Sequence, residues 1–393
     1  MDTVRIGVVG IGNMGSAHAK NIHSGKVEHL HLAAICDIDP KKQEWARENL
    51  PGAVIFSDYN EMFKSGLIDA AIVATPHYLH PPIATAALDA GLHVLSEKPA
   101  GVFTNQLTEY YEKAKASGKV FGIMFNQRTN PLFQKAREIV QSGELGVRKR
   151  LVWIITNWYR NQVYYDSGTW RATWNGEGGG VLLNQAPHNL DLWQWIFGMP
   201  KTVRGFCTCG KYHNIEVEDD ATIYAEYEDG ATATFITTTG DYPGTNRLEI
   251  TGDRGKIVLE NGKLTFWKLP VPEREFCFDP EGKKPTPEII EYVPETKETA
   301  HIGILQNFTN NILFGEPLLA PGYDGINELT ISNAAYLSSW TDSKVTLPID
   351  ADKFEELLKE KVKKSIEEQG QKEFTGDISA TAGTLIDRWS VNW

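Results

Sequence analysis

Val4-Arg5-Ile6-Gly7-Val8-Val9-Gly10-Ile11-Gly12-Asn13-Met14-Gly15-Ser16-Ala17-His18 lies near the start of a chain of 393 residues. Val4 to Val9 is apolar at nearly every position, the pattern of a strand buried on both faces. Gly10, Gly12 and Gly15 follow with G-x-G-x-x-G spacing, and the residues after Gly15 read as the start of a helix. Gly10 permits a tight turn out of the strand. Gly12 lets the backbone around Ile11, Asn13 and Met14 approach a pyrophosphate, and Gly15 lets helix and strand pack closely. The free N–H groups and dipole of the helix start favour negative charge there. A second strand, Leu30 to Cys36, ends in Asp37, 22 residues past Gly15. That is the place of an acid that hydrogen-bonds a ribose 2′-OH. A carboxylate there repels a 2′-phosphate and so points to NAD rather than NADP; Lys41 and Lys42 are the residues that speak for a phosphate.

From this point strands and helices alternate up to residue 128. Strands are expected at Ala53–Phe56, Ala70–Thr75, Leu92–Ser96 and Val120–Phe125, with helices between them. Such alternation predicts a parallel, doubly wound sheet with its ligand site outside the strand C-termini. The glycine turn, Asp37, Thr75-Pro76, Glu97-Lys98-Pro99 and Asn126-Gln127-Arg128 should therefore meet in one crevice. Lys98 at such an edge can hydrogen-bond an alcohol oxygen and stabilise the charge that gathers on it. Partial burial would lower its pKa toward working pH. The competing reading is a solvated lysine paired with Glu97.

The pattern changes after the first 128 residues, predicting a second domain over 129–393. Strands are expected at Arg148–Trp158, Val203–Cys209, Ala221–Tyr227, Ala231–Thr238, Arg247–Thr251, Lys256–Leu259 and Lys263–Trp267, separated by tight turns. This predicts an α+β domain with an open, mostly antiparallel sheet. One face would pack on helices and the other is free for a second copy, in a dimer or tetramer. Lys268 to Thr296 reads as an excursion rich in Pro, Glu and Lys, and the tail Phe374–Trp393, ending Trp-Ser-Val-Asn-Trp, as a segment that docks on a partner subunit.

Gly178-Gly179-Gly180 feeds Val181-Leu182-Leu183-Asn184-Gln185-Ala186-Pro187-His188-Asn189-Leu190-Asp191. Read as a helix, Asn184, His188 and Asp191 share one face. Asn184 is also a good N-cap, and the cap and ligand roles both stand open. An imidazole such as His188 suits removal of a hydroxyl proton near neutral pH. Between residues 153 and 174 aromatic side chains crowd with Arg and Asn. Aromatic faces pack on sugar C–H groups, and amides and guanidinium forks take hydroxyls. The loop from Trp158 to Trp174, with Trp158 and Tyr165, is the candidate substrate loop. Arg128 and Asn184 are candidates for the same ligand.

The net charge of −12 argues against nucleic acid or an anionic membrane as partner. The four cysteines form no C-x-x-C pair, and no spacing calls for a metal. There is no signal-peptide pattern and no apolar run of transmembrane length, which predicts a cytoplasmic protein.

The glycine fingerprint, the turn Thr75-Pro76-His77-Tyr78-Leu79-His80 and Glu97-Lys98-Pro99 together resemble the large Gfo/Idh/MocA family of sugar and cyclitol dehydrogenases, which includes glucose–fructose oxidoreductase and inositol dehydrogenase. The resemblance spans essentially the whole chain. It implies that Thr75, Pro76, His80, Glu97 and the pair Trp170-Arg171 lie at the cofactor, and that Asn126–Pro131 is the hinge between domains. It also implies that His188 is the catalytic histidine beside Lys98. The family carries aspartate where this chain has Asn184. Leu182–Asn189 resembles the branch holding levoglucosan and glycoside 3-dehydrogenases. The implied activity is NAD-dependent oxidation of a ring hydroxyl of a sugar, anhydrosugar, glycoside or cyclitol. A glycosidase acting by oxidation and elimination, and a non-catalytic sugar-sensing regulator, are the alternatives.

Overall fold

A computed structural model describes residues 2–168 and 170–369, so the tail Phe374–Trp393, expected to dock on a partner subunit, lies outside the described residues. The first sheet contains β1 (Val4–Val9), β2 (Leu30–Cys36), β3 (Val54–Phe56), β4 (Ala70–Val73), β5 (His93–Ser96) and β6 (Phe121–Ile123). Their order is β3-β2-β1-β4-β5-β6, with every pairing parallel. The strand order turns back between β1 and β4, which opens a crevice over the glycine turn. β4 is buried at all four residues and β1 at all but Arg5, because helices cover both faces.

The second sheet holds β7 (Arg148–Ile155), β8 (Thr202–Cys209), β9 (Glu218–Glu226), β10 (Thr232–Thr238), β11 (Asn246–Gly252), β12 (Gly255–Glu260), β13 (Lys263–Lys268), β14 (Glu288–Tyr292) and β15 (Val345–Thr346). Its order is β14-β13-β12-β11-β7-β10-β9-β8-β15. β7 runs parallel to β10 and antiparallel to β11, and so separates two strands that are consecutive in sequence. Burial alternates along β10 and β11. The helix Gly325–Thr341 lies on the buried face of β8 so closely that a Cβ on Gly205 would stand 2.3 Å from the Ala335 carbonyl oxygen. The opposite face carries half-exposed side chains and the exposed rings of Phe206 and Tyr224. β14 lies within the charged excursion, where no strand is expected from the sequence. No described helix is long and apolar enough to cross a membrane.

Candidate active site

The helix Asn13–His23 starts from Gly12, with no side-chain cap and no acidic residue in its first turn. A Cβ on Gly12 would meet nothing within 4 Å, whereas one on Gly15 would stand 1.8 Å from the Gly10 carbonyl oxygen. The packing glycine and the open glycine thus have separate tasks, and the open one leaves the helix start bare for an anion. Thr75 Oγ1 at the end of β4 is buried without a hydrogen-bond partner among the described residues, the condition of a group awaiting a ligand. Asp37 accepts from Ile11 N at 2.7 Å through Oδ2 and from Asp39 N at 2.9 Å through Oδ1. Lys42 Nζ lies 3.6 Å from Asp37 Oδ2, so its charge already has a partner. This cradle fits a dinucleotide held by Gly10–Gly15, Asp37 and Thr75.

Two family-implied cofactor residues have different tasks. Glu97 Oε1 bonds His18 Nε2 at 2.6 Å in the buried interior, and its Oε2 accepts from Lys98 N at 3.2 Å. Burial alone would raise this carboxyl; the bond and charge of His18, with His301 and Lys98, bring it down to about 2. Glu97 therefore ties the first helix to the turn that carries Lys98. Its folded pKa lies below the unfolded value, so its contribution is present above pH 4.5 and is lost as pH falls toward 2. A shift of this size corresponds to about 3 kcal/mol. The stability gap between the parent and Glu97→Gln in urea melts should accordingly shrink as pH falls from 5 to 3. A constant gap would contradict the pairing. His80 spends Nδ1 on Pro99 O at 2.8 Å and Nε2 on Thr75 O at 2.7 Å. It fastens two strand-end turns to each other, and its ring nitrogens do not face a ligand.

Three side chains from the first sheet's ligand edge reach carbonyls of the loop 174–184. His77 Nδ1 bonds Glu177 O at 3.0 Å, Tyr78 OH donates to Trp174 O at 2.8 Å, and Lys98 Nζ donates to Asn184 O at 2.7 Å. Lys98 is thus not the surface partner of Glu97. Burial lowers its pKa, against the pull of Glu97, Tyr164, Glu328 and Glu177. His188 stands in the first turn of the helix Pro187–Phe197, and burial, then the charges of Lys98 and His301, push it well below the usual imidazole range. The imidazole is neutral at working pH beside a cation.

Asn184 lies outside that helix. The cap position is Ala186, without a side-chain bond, and Asn184 N closes a turn onto Gly180 O at 2.9 Å. The capping reading is therefore overturned, because the chain stays in turns until Pro187 sets a helical φ. The glycine loop is held from below. Glu218 accepts from Gly180 N at 2.9 Å, Leu182 N at 2.8 Å and Tyr336 OH at 2.8 Å.

Arg128 is corrected most sharply. It is 1% exposed and faces no ligand space. Its guanidinium grips Asp191 at 2.8 and 2.6 Å, and reaches Asp324 at 2.7 Å and Leu319 O at 3.0 Å. In the loop, Tyr165 OH is spent on Thr239 Oγ1 at 2.7 Å, and Trp158 is buried. Tyr164, not Tyr165, faces the site: its oxygen accepts from Arg171 Nη1 at 2.9 Å and lies 3.4 Å from both Asn184 Nδ2 and Gln185 Nε2. Arg171 stacks over Tyr164 and Trp170, 4.7 Å from each ring centroid, and Trp170 meets His77 edge-on at 5.9 Å. Sequence reading missed Tyr164, His77, His301 and Glu177. Tyr164 lay inside the aromatic candidate loop and His77 inside the Thr75–His80 turn without being singled out, Glu177 stood directly against the glycine triplet, and His301 carried no signal.

Residues 4–125 match the oxidoreductase family with an NAD-binding Rossmann fold, and residues 133–258 match the GFO/IDH/MocA C-terminal domain. The chain belongs to this family of NAD-binding oxidoreductases. It is 24% identical to the myo-inositol 2-dehydrogenase of Thermotoga maritima over 84% of this chain and 95% of that one. The WlbA dehydrogenase of Bordetella pertussis, solved with NADH and UDP-GlcNAcA, superposes with a TM-score of 0.76 at 25% identity, over 88% of this chain and all of that one. A levoglucosan dehydrogenase, solved with NADH and levoglucosan, shares the fold with a TM-score of 0.74 at 20% identity, over 88% of this chain and 100% of that one.

Proposed function

We propose that the protein oxidises a ring hydroxyl of an uncharged sugar, anhydrosugar, glycoside or cyclitol, with Lys98 and His188 acting on the same alcohol. The observation that carries this reading is the 2.7 Å bond from Lys98 Nζ to Asn184 O, which draws an ammonium from the cofactor sheet to the loop that leads into His188. NAD, when bound, supplies the hydride acceptor. Lys98 steadies the alcohol oxygen as its proton leaves, and a desolvated ammonium does this far better than a hydrated one. His188, neutral and dry, receives the proton. Trp170 and Arg171 close the nicotinamide end, and Tyr164 and Asn184 line the sugar side.

The test is a panel of sugars, glycosides and inositols with NAD, read at the nicotinamide absorbance. Turnover of at least one ring polyol is expected, with His188→Ala lowering kcat by about a hundredfold or more. Because His188 titrates below its ordinary value of 6.5, protonation of this base should not lower kcat/KM until the pH falls below that value. An acidic limb above that pH would contradict the role given to His188. Cleavage of a chromogenic glycoside without net NADH would replace this reading by oxidation–elimination. The half-exposed face of the second sheet is the surface on which we place a second copy of the chain, testable by sedimentation.

A further inference from the structure

The family resemblance implies an aspartate at position 184, and the surroundings of Asn184 say how an amide serves there instead. Its Nδ2 lies against Glu177 Oε1 and 3.4 Å from Tyr164 OH. Glu177 is buried, and its Oε2 accepts from Ala172 N at 2.6 Å. Burial raises its pKa above the usual carboxylate range, against the pull of Arg171, the Ala172 N–H, the Asn184 amide and Lys98. A carboxylate only accepts hydrogen bonds, so it takes the NH2 end of the amide. The planar amide then turns Oδ1 the opposite way, and no donor among the described residues reaches that oxygen. Asn184 is only partly buried, and its backbone oxygen already holds the Lys98 ammonium.

We propose that Glu177 is a positioning residue: it locks the Asn184 amide so that Oδ1 faces the substrate as a fixed acceptor. The pocket thereby offers the acceptor an aspartate would offer, with the negative charge moved one residue back from the ligand. The ligand this fits is a neutral polyol with a free hydroxyl donating to Asn184 Oδ1, next to the hydroxyl held by Lys98. This inference rests on the dehydrogenase reading above.

Three variants test it: Glu177→Gln, Asn184→Asp, and the two together. Glu177→Gln frees the amide to flip, and KM for the best polyol should rise on the order of tenfold with kcat much less affected. Asn184→Asp sets a second carboxylate directly against the buried one of Glu177, so the pair favours holding one proton. Its folded pKa is then raised, and the melting temperature should fall more steeply than the parent's as pH rises from 5 to 8. The double variant restores one amide and one carboxylate, and should recover both the parent's melting profile and its KM. The inference is overturned if Glu177→Gln leaves KM unchanged, or if the double variant melts no better than Asn184→Asp. Absence of turnover on every polyol would instead sink the dehydrogenase reading, and the melting profiles would still decide the pairing.

Discussion

Lys98→Met should lower kcat on the best polyol by about a thousandfold, the scale of losing one preorganised charge at a developing oxyanion. NADH affinity, read by nicotinamide fluorescence, should change by no more than roughly threefold, because the effect is confined to the transition state. Methionine keeps the flexibility and apolar stem of the side chain, one atom shorter, and removes its charge. The ammonium is part-buried and donates to the backbone carbonyl of Asn184, so uncharged water is a poor substitute for it. Arginine is not a conservative exchange, since its planar fork cannot reproduce a single bond to the Asn184 oxygen. Retention of more than a tenth of the parent kcat would remove Lys98 from the chemistry.

Arg128→Met should cost about 3–5 kcal/mol of stability, because it leaves Asp191 charged, buried and unpaired. Asp191 is 1% exposed and takes two guanidinium bonds, with Gln194 Nε2 adding a third at 2.9 Å. Urea melts give the loss directly. Arg128→Met with Asp191→Leu should recover a large part of it, since an apolar pair of similar volume fills the space without a stranded charge. If Arg128 served a sugar, the single variant would raise KM and leave the melt unchanged. That outcome would overturn the structural role.

The first sheet was legible almost residue by residue because its strands are buried on both faces and read as unbroken apolar runs bounded by turn residues. Val4–Val9 and Leu30–Cys36 are found where the pattern puts them. The strands of the second sheet were legible from their alternation, yet their order was not. Nothing local to Arg148–Ile155 says that it pairs with Thr232–Thr238 in parallel. β14 was hidden because its residues are mostly exposed and interleaved with glutamates, so it has no hydrophobic face to betray it. In the site, the glycine turn, Lys98 and His188 could be found from their place at strand and helix ends. Arg128 could not be assigned, because an arginine after β6 reads the same whether it faces a sugar or Asp191. The same holds for Tyr164 and Tyr165, neighbours whose hydroxyls part toward Arg171 and Thr239. Which of two adjacent rings enters a pocket depends on the single turn Gln162–Asp166 that carries them.

The place of β7 has a consequence for biosynthesis. Trp153 stands opposite Phe235 on one flank and Leu248 on the other. During translation this central segment leaves the ribosome long before either neighbour exists. Its apolar residues must wait, solvent-facing or loosely sheltered, until the chain has grown past Gly252. Closing so large a loop is slow, and the interval exposes an unpaired edge to other nascent chains. The second half of the molecule should therefore be the part whose maturation lags and calls most on chaperones, while the glycine-turn half can close as it is made.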